Sequence, residues 1–171
     1  QTVTISTSNC VASANEFQFD VLVTNNSVND LHFNSAVVRL THSAAILAGG
    51  TNTIVFSYVS GSDFPNVWPP VSSPTFTYTP ASRTFGVSTS TGVYLNGTCT
   101  APLIGPSETK KIGRYSLKNN AQNFVAGADV GLAWSTTTIM NGYIDCAAGT
   151  TAFNTVNGNR TLAAPCSLFI P

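Results

Sequence analysis

The sequence predicts an all-β fold, an antiparallel β-sandwich of about ten short strands with little helix. Three observations predict it. Apolar and polar residues alternate with period two along much of the 171-residue chain. Turn-forming residues punctuate these runs at short intervals. No stretch carries the longer period of an amphipathic helix.

The alternation begins at once. Val3 and Ile5 are set among Thr2, Thr4 and Ser6, and Phe17, Phe19, Val21 and Val23 among Glu16, Gln18 and Asp20. Side chains on a strand point to opposite faces in turn, so each run offers one apolar face to a core. Ile54, Phe56 and Tyr58 repeat the pattern, as do Phe76 and Tyr78, then Phe85 and Val87. Val130, Leu132 and Trp134, among Gly131, Ala133 and Ser135, read as a further strand with Trp134 in the core. β-Branched and aromatic residues suit such half-buried strands. Asn25-Asn26-Ser27 and the Gly49-Gly50 region read as turns, and Asn96-Gly97, Asn141-Gly142 and Asn157-Gly158 as tight hairpin turns. Pro65, Pro69, Pro70 and Pro74 mark a long loop within one domain spanning residues 1–171. Residues 43–47 and 119–126 can each make a short turn of helix.

Composition narrows the function. Only 8% of residues are charged, and seven basic residues balance seven acidic ones. The polar surface must come from 23 Thr, 18 Ser and 16 Asn. Without a cationic stripe, nucleic acid is not an expected partner. Lys110, Arg114 and Lys118 share a strand face by parity and read as a solvated outer face. Low net charge near neutrality weakens repulsion between copies, a hint of self-assembly. No segment reaches eighteen apolar residues, so no membrane insertion is expected. The first residue is Gln, which reads as a mature exported chain with its signal peptide removed.

Cys10, Cys99, Cys146 and Cys166 form no C-x-x-C pair, and His32 and His42 lie far from them in sequence, so zinc is not expected. Four cysteines in a secreted-looking chain read as two disulfides with three possible connectivities. The favoured pairing is Cys10 with Cys99 and Cys146 with Cys166.

No catalytic set is legible. Glycosidases need two carboxylates flanking the scissile bond. Glu16 and Asp20 share a strand face four residues apart, ~13 Å along a strand at about 3.3 Å per residue. No G-x-S-x-G elbow, P-loop, EF-hand loop or dinucleotide fingerprint occurs. His32 and His42 read as hydrogen-bonded structural residues. No cofactor is expected; a structural calcium on scattered carboxylates and carbonyls stays open. Three N-x-S/T sequons are no more than this composition supplies by chance. Trp68, in the proline-rich loop, could stack on a sugar ring or fold back over the sandwich end. Residues 2–7 form a clean terminal strand. Thr2, Val3, Thr4 and Ile5 could complete a neighbour's sheet or pair within their own.

Two stretches resemble a known family. NEFQFDVLVTN (15–25) followed by AILAGG (45–50), and KIGRYSLKN (111–119) with Phe124 and GLAW (131–134), resemble cohesin-like modules in secreted and surface proteins of the Bacteroidetes. The resemblance covers most of residues 1–145, and its motifs are structural. It implies a nine-strand jelly-roll or immunoglobulin-like sandwich, export, possible use of the type IX route, and no catalytic residue to carry over. The four cysteines and the proline-rich loop are additions to that pattern.

The reading is therefore a non-catalytic extracellular structural or adhesive module of a bacterial surface, with the self-assembling subunit of an extracellular filament as its most specific form. Its expected partners are other copies of itself or other surface proteins. The alternative is a carbohydrate- or protein-binding module, and a glycosidase-type enzyme ranks below both.

Overall fold

The computed structural model describes residues 2–64, 75–90, 94–95, 98–99, 103–143, 152–154 and 159–171. Two sheets face each other. In the first, β1 (Val3–Ala12), β2 (Glu16–Asn25), β4 (Ile54–Ser60), β10 (Thr109–Asn119) and β14 (Arg160–Leu162) lie in the order β14-β1-β2-β10-β4. In the second, β3 (Leu31–Thr41), β5 (Thr75–Thr79), β6 (Thr84–Ser90), β12 (Ile139–Tyr143) and β13 (Ala152–Asn154) run β13-β12-β3-β6-β5. The two-residue strands β9 (Leu103–Ile104) and β11 (Ala133–Trp134) also pair with β3. Separately, β7 (Tyr94–Leu95) pairs antiparallel with β8 (Thr98–Cys99); the Asn96-Gly97 turn expected between them lies outside the described residues. Pairing is antiparallel except between β1 and β14, so the predicted antiparallel sandwich is the observed architecture.

The period-two residues make the core. Val3, Ile5, Phe17, Phe19, Val21 and Val23 are fully buried, opposite Phe33, Val38, Leu40, Phe85 and Met140 from the second sheet. Phe19, Phe56, Phe85 and Tyr115 touch across the middle, with ring centroids 5.1 Å apart for Phe56 and Phe85 and 5.6 Å for Phe56 and Tyr115. Offset and edge-on aromatic pairs add to what their buried area contributes. Two buried asparagines tie loops to this core. Asn25 donates to the carbonyls of Asn29 and Ile104, and Asn119 accepts from the amides of Thr53 and Ala121. Buried amides persist only when so paired.

Several expectations change. The Val130–Trp134 run is no continuous strand. Gly131 turns the chain at φ +58° beside the side chain of Ser43, and only Ala133–Trp134 pairs with β3. Trp134 is half-buried against the core, its indole N–H donating to the Ala163 carbonyl at 2.6 Å. Asn141-Gly142 is not a turn but the middle of β12, where the register on β3 shifts. A Cβ on Gly142 would lie 2.4 Å from the His32 carbonyl oxygen, so the glycine serves close strand approach. The short turn predicted near residue 43 is a 3-10 turn, Ala44–Ile46, capped by the Ser43 side chain.

The cysteine pairing is also corrected. Cys10 is joined to Cys166, not to Cys99, with Cα atoms 6.4 Å apart. Spacing along the chain could not reveal this. The pairing follows from β14 returning alongside β1, with Val3 to Ile5 matched in parallel to Arg160 to Leu162. Thr7 assists by accepting the Cys166 amide at 3.0 Å. Cys146 and the side chain of Cys99 lie outside the described residues.

Candidate functional site

The two outer faces of the sandwich differ in chemistry. On the first sheet, β2 turns Glu16, Gln18 and Asp20 outward, because Phe17, Phe19 and Val21 take the alternate, buried positions. The β10 register sets Lys118 opposite Glu16, Ser116 opposite Gln18 and Arg114 opposite Asp20. β1 contributes Asn9 from an irregularity between Ser8 and Val11, where Asn9 takes φ +49°.

These side chains bond to one another. Asn9 Nδ2 donates to Asp20 Oδ2 at 2.7 Å. Arg114 donates from Nη1 to Asp20 Oδ1 at 3.0 Å and to the Asn9 carbonyl at 3.1 Å, and from Nε to Gln18 Oε1 at 3.0 Å. Gln18 and Ser116 both donate to Glu16 Oε1. The Ser116 and Gln18 hydrogen bonds, in that order, hold the Glu16 carboxyl below the usual range. The Asp20 side chain is only 5% exposed, so its pairing with Arg114 matters to the fold. Both carboxylates are thus occupied by donors of the same sheet.

The parity expected for the lysines fails. β10 shifts register between Lys111 and Gly113, leaving Ile112 as an extra, buried residue. Across that bulge the outward set is Lys111 before it and Arg114, Ser116 and Lys118 after it. Lys110 pairs opposite inward-facing Val23 and reaches Glu108 at the sheet's end. Its hydrogen bond, and that of the Gly105 amide, hold Glu108 below the usual range.

The outer face of the second sheet is nearly uncharged. Thr79, Thr84, Thr41 and Ala133 lie in one cross-strand row, Thr77, Gly86 and Arg39 in the next, and Thr75, Ser88, Val37 and Ile139 in a third. Gly86 leaves room beside the Arg39 stem, since a Cβ there would come within 2.6 Å of Arg39 Cγ. A shallow hollow of about 400 Å³ lies over Arg39, Thr77, Thr79, Thr84, Ser135 and Thr137. Among the described residues, the Arg39 guanidinium donates to Thr137 Oγ1 alone, at 3.4 Å.

The other residues singled out in the sequence are scattered. His42 is buried, bonded through Nδ1 to the Ser43 carbonyl at 2.9 Å and through Nε2 to the Tyr78 hydroxyl at 3.1 Å. Burial pushes its imidazole below the ordinary value and the Tyr78 phenol above its own. His32 sits on β3 opposite Tyr143. Trp68 lies outside the described residues. Thr2 lies just ahead of β1, while Val3, Thr4 and Ile5 lie inside it, between β2 and β14 of their own chain, with Val3 and Ile5 fully buried. Among the described residues, no three His, Cys, Asp or Glu side chains gather as metal ligands would. Sequence reasoning missed the Asn9–Asp20–Arg114 cluster. Its partners are 94 residues apart for Asp20 and Arg114, and no local pattern announces them.

No family model matches the chain, and no curated protein matches it in sequence. Its fold is nevertheless that of cohesins. One solved structure, from a type I cohesin–dockerin complex of Clostridium thermocellum, aligns over all of both chains with a TM-score of 0.56 at 9% identity. The seventh ScaB type I cohesin of Pseudobacteroides cellulosolvens aligns over 99% of this chain and 92% of its own, with a TM-score of 0.56 at 8% identity. A type II cohesin module of the ScaA scaffoldin from Acetivibrio cellulolyticus aligns over 97% and 94%, with a TM-score of 0.51 at 10% identity. The chain therefore shares the cohesin β-sandwich fold.

Proposed function

We propose that this chain is a non-catalytic extracellular module that holds another protein against the outer face of its second sheet. One observation carries the reading: the contrast between the two faces. Glu16, Asp20 and Arg114 at the centre of the first sheet's face are occupied by neighbouring side chains, whereas the second sheet offers hydroxyls around Arg39 and a shallow hollow. A partner whose donors and acceptors meet these hydroxyls replaces their bonds to water at little net cost. A central arginine is a frequent anchor in such contacts. The cohesin fold supports a protein partner, since one similar structure is of a cohesin–dockerin complex. The Cys10–Cys166 disulfide supports an oxidising, extracellular setting. Origin in a secreted or surface protein of the Bacteroidetes is proposed from the sequence motifs alone, as is a surface-adhesive role.

The test is a binding titration against a panel of dockerin modules. The wild type is compared with Arg39→Glu and Thr77→Arg on the second sheet and with Lys118→Glu on the first. Binding weakened at least tenfold by the first two, and unchanged by the third, supports the reading. Binding that responds only to Lys118→Glu would place the partner on the other sheet. Glycan binding without dockerin binding would favour the carbohydrate-module alternative.

A further inference from the structure

We infer that β4 (Ile54–Ser60) is a self-recognition edge, through which two copies of this chain pair their first sheets across a twofold axis. The inference stands on the edge itself and does not depend on the partner proposed for the second sheet.

β4 ends the five-stranded sheet, and among the described residues its only strand partner is β10. An edge strand presents unpaired backbone N–H and C=O groups to any chain able to lie beside it. Natural proteins usually blunt such edges with lysine, proline, inward charges or a bulge. β4 reads IVFSYVS and contains no charge, proline or glycine. Its outward side is apolar as well: Val55 is 42% exposed and Val59 41%. One blunting device is present, at the end of the strand: the register on β10 shifts between Arg114 and Tyr115, a bulge that leaves Val59 with no β10 residue opposite it. Two of the other outer strands, β14 and β5, are better guarded. Arg160 stands on β14, and β5 turns threonines outward and runs into Pro80.

The occupant is identified by the order of residues. A twofold interface requires that when residue i meets residue j, j also meets i. For two antiparallel copies of β4 centred on Ser57, Val55 faces Val59 of the partner subunit and Phe56 faces Tyr58 of the partner subunit. Ser57 then faces its own counterpart. The segment Val55-Phe56-Ser57-Tyr58-Val59 is thus a palindrome in residue type: valine on valine outside, aromatic on aromatic inside, serine on the axis. Such cross-strand pairs are the units that stabilise a sheet. The result is one continuous sheet from two five-stranded ones. A twofold contact closes on itself, so this edge makes a dimer; a filament would need a second, different contact.

The test has two arms on the full chain. Directly opposed Cβ atoms on paired strands are about 4.5–5.5 Å apart, close to what a disulfide spans. Ser57→Cys should therefore form a covalent dimer under mild oxidation, at least tenfold faster than Val28→Cys, whose side chain is 89% exposed on a loop. In the second arm, Val55→Glu/Val59→Glu puts like charges opposite each other, and Val55→Glu/Val59→Lys puts opposite charges there. Glutamate at position 55 also sits opposite Lys118 of its own sheet, so the fold tolerates it. Sedimentation should show a concentration-dependent dimer for the wild type, a dissociation constant raised more than tenfold in the first variant, and recovery in the second. Ser57→Cys crosslinking no faster than the loop control would overturn the inference, as would equal association by both charge variants.

Discussion

Removing the Cys10–Cys166 bond tests how this sandwich closes. The bond joins positions 156 residues apart, linking the bulged end of β1 to the segment that follows β14. In the chain-entropy account, closing a loop of that length removes unfolded-state freedom equivalent to about 5 kcal/mol. Native contacts are little changed by the loss, since β14 stays on β1 through three residue pairs and Ile170 stays buried. The effect should thus fall on the unfolded state. With a urea dependence of about 2.5 kcal/mol per molar, Cys10→Ser/Cys166→Ser should lower the unfolding midpoint by about 2 M. Equilibrium unfolding followed by tryptophan fluorescence measures it, and non-reducing peptide mapping checks the link in the parent. A peptide joining Cys10 to Cys99, or a midpoint that does not move, would refute the reasoning.

Other outcomes follow from the same contacts. Asp20→Ala leaves the Arg114 guanidinium without its buried partner, and thermal or urea melts should show a loss of about 3–5 kcal/mol. Phe19→Ala empties the centre of the aromatic cluster and should cost about 3–5 kcal/mol in the same melts. Gly142→Ala forces a Cβ onto the His32 carbonyl and should destabilise, with enhanced amide exchange along β3 and β12. For His42, burial sets the sign. Above pH 6.5 the imidazole is neutral whether folded or unfolded; as pH falls below 6.5 the unfolded chain takes up a proton that the buried ring resists. Stability should therefore drop from pH 6.5 downward until the folded imidazole also protonates. Unfolding midpoints measured against pH should lose this part of the slope in His42→Gln. Glu16, held low by Ser116 and Gln18, adds a further loss as pH falls below 4.5 through its folded value.

The fold class was legible because period-two patterning reports directly on burial: Phe17, Phe19, Val21 and Val23 are all fully buried. Pattern failed where backbone geometry, rather than side-chain type, decides the outcome. Ile112 looks like one more residue in a run, yet as a bulge it reverses the parity of every residue before it, moving Lys110 away from Arg114 and Lys118. Gly142 after Asn141 looks like a turn, but the glycine answers to a strand passing too close for a Cβ. The Cys10–Cys166 link and the Arg114–Asp20 pair are facts of topology, which a single sequence does not encode locally. The candidate face was half visible. The alternating Thr75, Thr77 and Thr79 can be read from the sequence, but their alignment beside Gly86 and Arg39 needs the strand register.

A protein partner held on the outer face of the second sheet, as proposed, would shield that sheet's backbone from solvent. Hydrogen exchange of the chain, alone and saturated with a dockerin that binds it, tests this most directly. Added protection is expected in β3, β5, β6 and β12, with β2 and β10 unchanged. Protection confined to β2 and β10, around Asp20 and Arg114, would contradict it.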